Sequence, residues 1–210
     1  MKKDHPIFLE SIKFIRSKLK NNKFNGIELK VLERLIHTSG DFDIQNHLKF
    51  SYRACEIAIK AIKCGAPILT DTEMASAAIK SMAKCTHGNN VFSVKRWIDK
   101  DIIESTTKTA YGLERAWLDI TKKYYGDKSP IVIFGSAPTA LEKLMDLLEV
   151  DNTKPSLIVG MPVGFIGVEH AKNRLLNSKY QYIVLESTKG GAAMAGATVN
   201  ALLRESIKSS

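Results

Sequence analysis

"PIVIFGSAPTALEKLMDLLE", residues 130–149, decides the fold. Ile131 to Phe134 run apolar without interruption, so a strand here must be covered on both faces. The small residues Gly135-Ser136-Ala137 make a turn, and Pro138 then opens a helical pattern. The same order of strand, turn and helix recurs in "PILTDTEMASAAIKSM" (67–82), "PSLIVGMPVGFIGVEHAKNRLL" (155–176) and "YQYIVLESTKGGAAMAGATVNALLRE" (180–205). Leu157–Val159 and Ile183–Leu185 are again apolar on both faces, and "NNVFSV" (89–94) reads as a further strand. Strands alternating with helices predict a parallel sheet covered on both sides. Upstream, helices are expected from Pro6, with Phe8, Ile12, Ile15 and Leu19 at helical intervals, up to His37, and from Ser51 to Lys63; a long one should cover Thr106 to Tyr124. No repeat of fixed period, low-complexity tract or linker interrupts the chain. The expectation is one α/β domain over residues 1–210 with a helical N-terminal segment.

Composition narrows the class. The 210 residues are 44% hydrophobic and 25% charged, the ordinary globular range, which excludes disordered and fibrous chains. No window approaches a membrane span and "MKKDHPIFLESIK" lacks an apolar signal core, so the expected location is the cytoplasm. The three cysteines include no C-x-x-C pair, which predicts reduced thiols. The net charge of +9 favours an anionic partner. Its spread-out basic residues, without a Lys/Arg block beside aromatics, speak against nucleic acid and equally suit a small polyanion.

Parallel α/β sheets bind ligands at the carboxyl ends of their strands. The turns there carry Thr70 and Asp71, then Ser136, Ala137 and Pro138, then Gly160 and Gly164, then Gly190 and Gly191. Small residues let a ligand approach the backbone, and the helix starts that follow offer N–H donors to carboxylates. Each turn also has a structural explanation. "GMPVGFIG" fits neither the dinucleotide fingerprint nor the Walker loop, and tight helix–sheet packing accounts for its glycines. The Gly/Ala run after Lys189 suits close packing against the sheet or a partner chain. Asp71 suits a helix N-cap. The five histidines are scattered and no cluster has metal-ligand spacing, so no metal is expected.

"RLIHTSGDFD" (34–43) places His37 on the last turn of a helix stopped by Gly40, with Arg34 one turn earlier on the same face. Position alone leaves a structural and a catalytic His37 both open.

Taken together, "RLIHTSGDFD", "GAPILTDTEMASAAI", "GSAPTAL", "GMPVGFIGVEHAK" and "GGAAMAGATVNAL" resemble, in order and across nearly the whole chain, the precorrin-8X methylmutase family of corrin biosynthesis. The resemblance implies a doubly wound α/β fold, a cytoplasmic homodimer and migration of a methyl group from carbon 11 to carbon 12 of the tetrapyrrole. The bonds rearrange within the substrate, so no cofactor is implied. His37 matches the family's proton donor, a role that suits an imidazole because it titrates near neutrality. Ser11 and Arg34 match substrate-site residues. Lys108 stands where the family carries an arginine, which keeps the charge but loses the bidentate fork. His170 departs from the family's Glu-Ser-Lys pattern and reads as a surface residue. The substrate, a flat apolar ring fringed with carboxylates, would lie across the small-residue turns. Two rival readings are a corrinoid-binding protein without catalysis, for which a proton donor is superfluous, and a nucleotide-dependent enzyme built on the Gly160 turn, which lacks a phosphate-loop lysine.

Overall fold

The computed structural model describes residues 5–19, 23–99, 106–150 and 152–208; Lys20 and the ends of the expected domain lie outside them. The described helices are α1 (Pro6–Lys18), α2 (Gly26–Ser39), α3 (Ile44–His47), α4 (Ala54–Lys63), α5 (Glu73–Cys85), α6 (Lys108–Thr121), α7 (Pro138–Val150), α8 (Val168–Leu176) and α9 (Ala192–Ser206). The described strands are β1 (Leu48–Phe50), β2 (Ile68–Thr70), β3 (Val91–Ser93), β4 (Ile131–Phe134), β5 (Leu157–Gly160) and β6 (Tyr182–Leu185). They form one sheet in the order β1-β6-β5-β4-β2-β3. Strands β2 to β6 run parallel, and β1 pairs antiparallel with β6, Leu48 opposite Leu185.

The uninterrupted apolar strands are explained by what covers them. On one face Leu69, Val132, Phe134, Ile158 and Val184 pack with Leu113 and Trp117 of α6, Leu141 and Leu144 of α7 and Leu175 of α8. On the other, Ile68, Ile131, Ile133, Leu157, Val159 and Ile183 pack with Leu32 and Leu35 of α2, Ile62 of α4, Ile79 of α5 and Leu202 of α9. Each large apolar side chain so buried contributes roughly 1.5–3 kcal/mol, which is why both faces stay covered. The chain goes from β2 outward to β3, then crosses back to lay β4, β5 and β6 on the far side of β2. The sheet is therefore doubly wound, with its reversal between β2 and β4.

Two local features, the β1–α3 segment and the start of α4, differ from the sequence reading. Strand β1 and helix α3 were not expected; β1 is a three-residue edge strand whose register comes from β6, remote in the chain. Helix α4 begins at Ala54 rather than Ser51. The reason is Ser51 itself, whose hydroxyl donates to Gln181 Oε1 (2.8 Å) and accepts from the Tyr182 N–H (2.9 Å), tying the turn to β6. Arg53 adopts φ 57° to make the corner. The Gly/Ala-rich α9 packs inside its own chain: a β-carbon on Gly196 would stand 3.0 Å from Ala78 Cβ, so the glycine brings α9 against α5. Cys55 is buried, Cys64 half-buried and Cys85 exposed, all unpaired. No described helix is long and apolar enough to cross a membrane.

Candidate active site

Helix α2 ends as its sequence dictates. Leu32, Leu35 and Ile36 face the core, and Gly40, at φ 70°, donates its N–H to Ile36 O (2.8 Å). This left-handed cap stops the helix and leaves His37 exposed on its last turn. Helix α1 lies across α2. Its cap is His5, whose Nδ1 accepts from the Ile7 N–H (3.3 Å), with Pro6 at the first helical position. Arg16 of α1 holds Glu33 of α2 in a bidentate pair, Nε to Oε1 and Nη2 to Oε2 (3.0 Å).

That docking brings Ser11 to His37: Ser11 Oγ and His37 Nδ1 are 2.8 Å apart. The Phe8 ring meets the imidazole edge-on, centroids 5.1 Å apart. Arg34 stacks its guanidinium over the same Phe8, 5.2 Å from the centroid. Its Nε is buried with no hydrogen-bond partner, and burial pulls its pKa below the ordinary guanidinium value. Ser11, Arg34 and His37 thus form one cluster. Beside it, between α1, α2 and α9, opens a cavity of about 330 Å³ whose walls include Phe8, Ile12, Arg34, Ala201 and Arg204.

The remaining candidates stand at the carboxyl edge of the sheet. Thr70 is fully buried, its hydroxyl donating to the carbonyls of Thr72 (2.8 Å) and Phe92 (3.2 Å). Asp71 does not cap α5, because Thr72 does, accepting from the Ala75 N–H (3.2 Å). Instead Asp71 Oδ2 accepts from the N–H groups of Gly135 (2.9 Å), Ser136 (2.6 Å) and Ala137 (2.9 Å). The protein's own carboxylate therefore occupies the anion-binding crook at the reversal point of the sheet, where doubly wound folds commonly receive ligands. Burial raises the Asp71 pKa, and the three backbone donors oppose that rise. Pro138 opens α7 as expected.

Gly160 sits in close packing: a β-carbon there would stand 2.7 Å from Leu175 Cδ2. The next two turns are sewn together, since Gly164 donates to Thr188 O (3.2 Å) and Gly191 to Met161 O (2.8 Å). Gly190, at φ 157°, has to be glycine because a β-carbon would run into the Met161 carbonyl. Lys108 is exposed at the first position of α6, next to Thr107, whose Oγ1 lies 2.8 Å from Thr139 Oγ1. His170 is on the surface against Glu142 (2.7 Å).

The helix-end cluster and the sheet edge are joined by Lys189, a link that the sequence did not show. Its Nζ reaches Asp41 Oδ2 (2.7 Å) and Asp43 Oδ2 (2.8 Å), just past the Gly40 cap. Lys172 was also missed. Only 1% exposed, its ammonium donates to the carbonyls of Ser187 and Lys189, both at 2.7 Å, and so holds the turn above it. Burial pushes its pKa down to about 8. The third omission, the cavity with Phe8 and Arg204, left one trace in the sequence. Ser11 interrupts the apolar stripe of α1, and Phe8 lies one turn before it. Among the described residues no group of three His, Cys, Asp or Glu could hold a metal ion.

The comparisons with known proteins point to one family. The family model of precorrin-8X methylmutase matches residues 6–205. The chain is 30% identical to the cobalt-precorrin-8 methylmutase of Synechocystis over 95% of each protein. It is 32% identical to the precorrin-8X methylmutase of Pseudomonas aeruginosa over 84% of this chain and 83% of the relative. A crystal structure of precorrin-8x methyl mutase from Thermus thermophilus superposes with a TM-score of 0.86 at 30% identity, covering 97% of this chain and 96% of that one. A matching family model over almost the whole length, and relatives aligned over most of both proteins, lead to one conclusion: the chain belongs to the precorrin-8X methylmutase family, isomerases that shift a methyl group within their substrate in cobalamin synthesis.

Proposed function

We propose that this chain moves the methyl group on carbon 11 of precorrin-8X, or of its cobalt-bearing counterpart, to carbon 12, giving hydrogenobyrinate or cobyrinate, with His37 as the general acid. The observation that carries the reading is the 2.8 Å pair between Ser11 Oγ and His37 Nδ1, beside the Phe8 ring that also lines the neighbouring cationic cavity. In the imidazolium, Nδ1–H donates to Ser11 Oγ and Nε2–H remains as the proton to transfer. Protonating the conjugated ring makes its carbon framework electron-poor, which eases methyl migration. Loss of the Nε2 proton leaves the Nδ1–H tautomer, so Ser11 accepts throughout and orients the ring. The free Nε2 then takes a proton back as the product ring sheds one, and the reaction balances as an isomerisation. All bonds change within the substrate, so the reaction calls for no cofactor.

A polycarboxylated tetrapyrrole suits the +9 chain and Arg34, whose buried Nε has no hydrogen-bond partner. Thr70, Asp71, Ser136, Ala137, Pro138, Gly160, Gly164, Gly190 and Gly191 would shape the floor under the ring through their backbone. Asp71 would do so indirectly, by fixing the turn at 135–137. Lys108 would meet a carboxylate as a point charge. The turn after β5 exposes Phe165 (87%) and Ile166 (89%), which supports cover by the ring or by a second copy in a homodimer. We place this single-domain enzyme in the cytoplasm. A non-catalytic corrinoid-binding role is less well supported, because binding alone has no need of a proton donor held in one orientation.

The test is to incubate the purified chain with precorrin-8X and follow the visible spectrum. Conversion to the corrin chromophore supports the function. Binding without conversion would reduce the chain to a sequestering protein.

A further inference from the structure

We infer that Lys172 is a positioning residue for the methyl shift: from inside the fold it fixes the turn at 187–189, through which Lys189 clasps the helix end that carries His37. This rests on His37 as the proton donor and adds what holds that donor against the floor of the site.

An ammonium buried in a protein is costly unless something receives its charge. Lys172, midway along α8, is only 1% exposed. Main chain receives it, the carbonyls of Ser187 and Lys189, both at 2.7 Å. These carbonyls flank Thr188, so one ammonium ties both ends of the turn. The turn needs tying, because Ser187 sits at φ 64°, a left-handed conformation that side chains avoid unless their surroundings impose it. Burial pulls the Lys172 pKa down to about 8, opposed by Glu169 of the same helix. Other charges around α8 are matched: Glu142, Asp146 and Glu149 of α7 hold Arg174, and Glu186, just past β6, holds Lys49. A methionine at 172 would fill similar space without burying a charge.

Lys189 carries the constraint onward. Its carbonyl is held by Lys172 and its N–H donates to Ser187 Oγ (3.3 Å). Its ammonium reaches Asp41 Oδ2 (2.7 Å) and Asp43 Oδ2 (2.8 Å). Asp41 directly follows the Gly40 cap of the helix that ends with His37 on its last turn. Asp41 Oδ1 accepts from the Asp43 N–H (2.9 Å), and Asp43 Oδ2 lies 3.1 Å from His47 Nε2, so the clasp closes on a braced loop. Gly190 and Gly191 continue from the same turn, Gly191 donating to Met161 O (2.8 Å). One short turn thus sets the proton donor against the floor, and its main chain hangs on Lys172.

The test is single-turnover conversion of precorrin-8X by wild type, Lys172→Met, Lys189→Met and the double variant. At saturating substrate each single variant should be roughly tenfold slower, the loss of one charge-assisted contact, with the half-saturating concentration nearly unchanged. The double variant should stay within about twofold of the slower single, because both lysines act through one turn. Rescue separates positioning from folding. Asparagine accepts the left-handed region and keeps an acceptor for the Lys189 N–H. Ser187→Asn added to Lys172→Met should therefore recover at least about threefold of the rate. Losses that multiply to about a hundredfold in the double variant, absent rescue, an unchanged Lys172→Met rate, or a rise in half-saturation alone would overturn the positioning role and leave the function in place. Should Lys172→Met fail to fold, the ratio of wild-type to Lys189→Met rates is read across pH 8, which cancels the titration of His37. Asp41 and Asp43, lowered, and Lys189, raised, keep their charges there. The ratio should fall as Lys172 loses its charge near pH 8, and a constant ratio would overturn the inference. A wild-type chain that leaves precorrin-8X unconverted would overturn the function, and the positioning role with it.

Discussion

The hydroxyl of Ser11 stands 2.8 Å from Nδ1 of His37 across 26 residues of sequence. Two helices are docked so that one fixes the ring orientation of the other's histidine. Arg16–Glu33 holds that docking little more than one turn away.

Ser11→Ala should therefore act through His37. Losing one hydrogen bond worth about 1 kcal/mol predicts a roughly threefold to tenfold fall in kcat with KM nearly unchanged. Ser11→Thr should recover part of the rate. Steady-state kinetics of the three proteins decide it; a rise in KM at constant kcat would make Ser11 a substrate contact instead.

Asp71 should matter for stability more than for chemistry. Asp71→Ala removes the acceptor of three backbone N–H groups at once, at a cost of at least about 3 kcal/mol. Asp71→Asn keeps an acceptor oxygen and should cost clearly less. Urea unfolding separates them; an alanine variant within about 1 kcal/mol of wild type would show that other groups satisfy the turn at 135–137.

The Lys189 bridge supplies a pH signature. Lys189 draws the Asp43 carboxyl down to about 2, and Asp41 is lowered too, with the Lys189 hydrogen bond as the largest cause. Both groups have folded pKa values below their unfolded ones, near 3.9. Their contribution is thus full above about pH 4 and is lost as pH falls toward 2. The stability gap between wild type and Lys189→Met should be constant from pH 5 to 7 and shrink between pH 4 and pH 2. A gap independent of pH over that range would mean that Lys189 acts by packing alone.

Much of this was legible in the sequence because it is local. Apolar runs at 131–134 and 183–185 announced strands covered on both faces, and Gly40 announced the end of α2. What escaped depends on partners remote in the chain. Strand β1 is three residues with no pattern of its own, registered by β6. Asp71 looked like a cap because capping is the local use of an aspartate before a helix, whereas its true partners lie 64 to 66 residues away. Lys189 resembled any solvated lysine until Asp41 and Asp43 came beside it. Ser11 and Arg34 were named through the resemblance, yet their meeting at His37 follows from how α1 crosses α2, which no periodicity encodes.

The most direct measurement is single-turnover conversion of precorrin-8X by His37→Ala, read from the visible spectrum beside a product titration. Because His37 is exposed at a helix end, the variant should fold normally and bind product within about twofold of wild type. Without its positioned proton donor it should turn over roughly a hundredfold to ten-thousandfold more slowly. Turnover near the wild-type rate would contradict the assignment and leave His37 a residue that merely ends a helix.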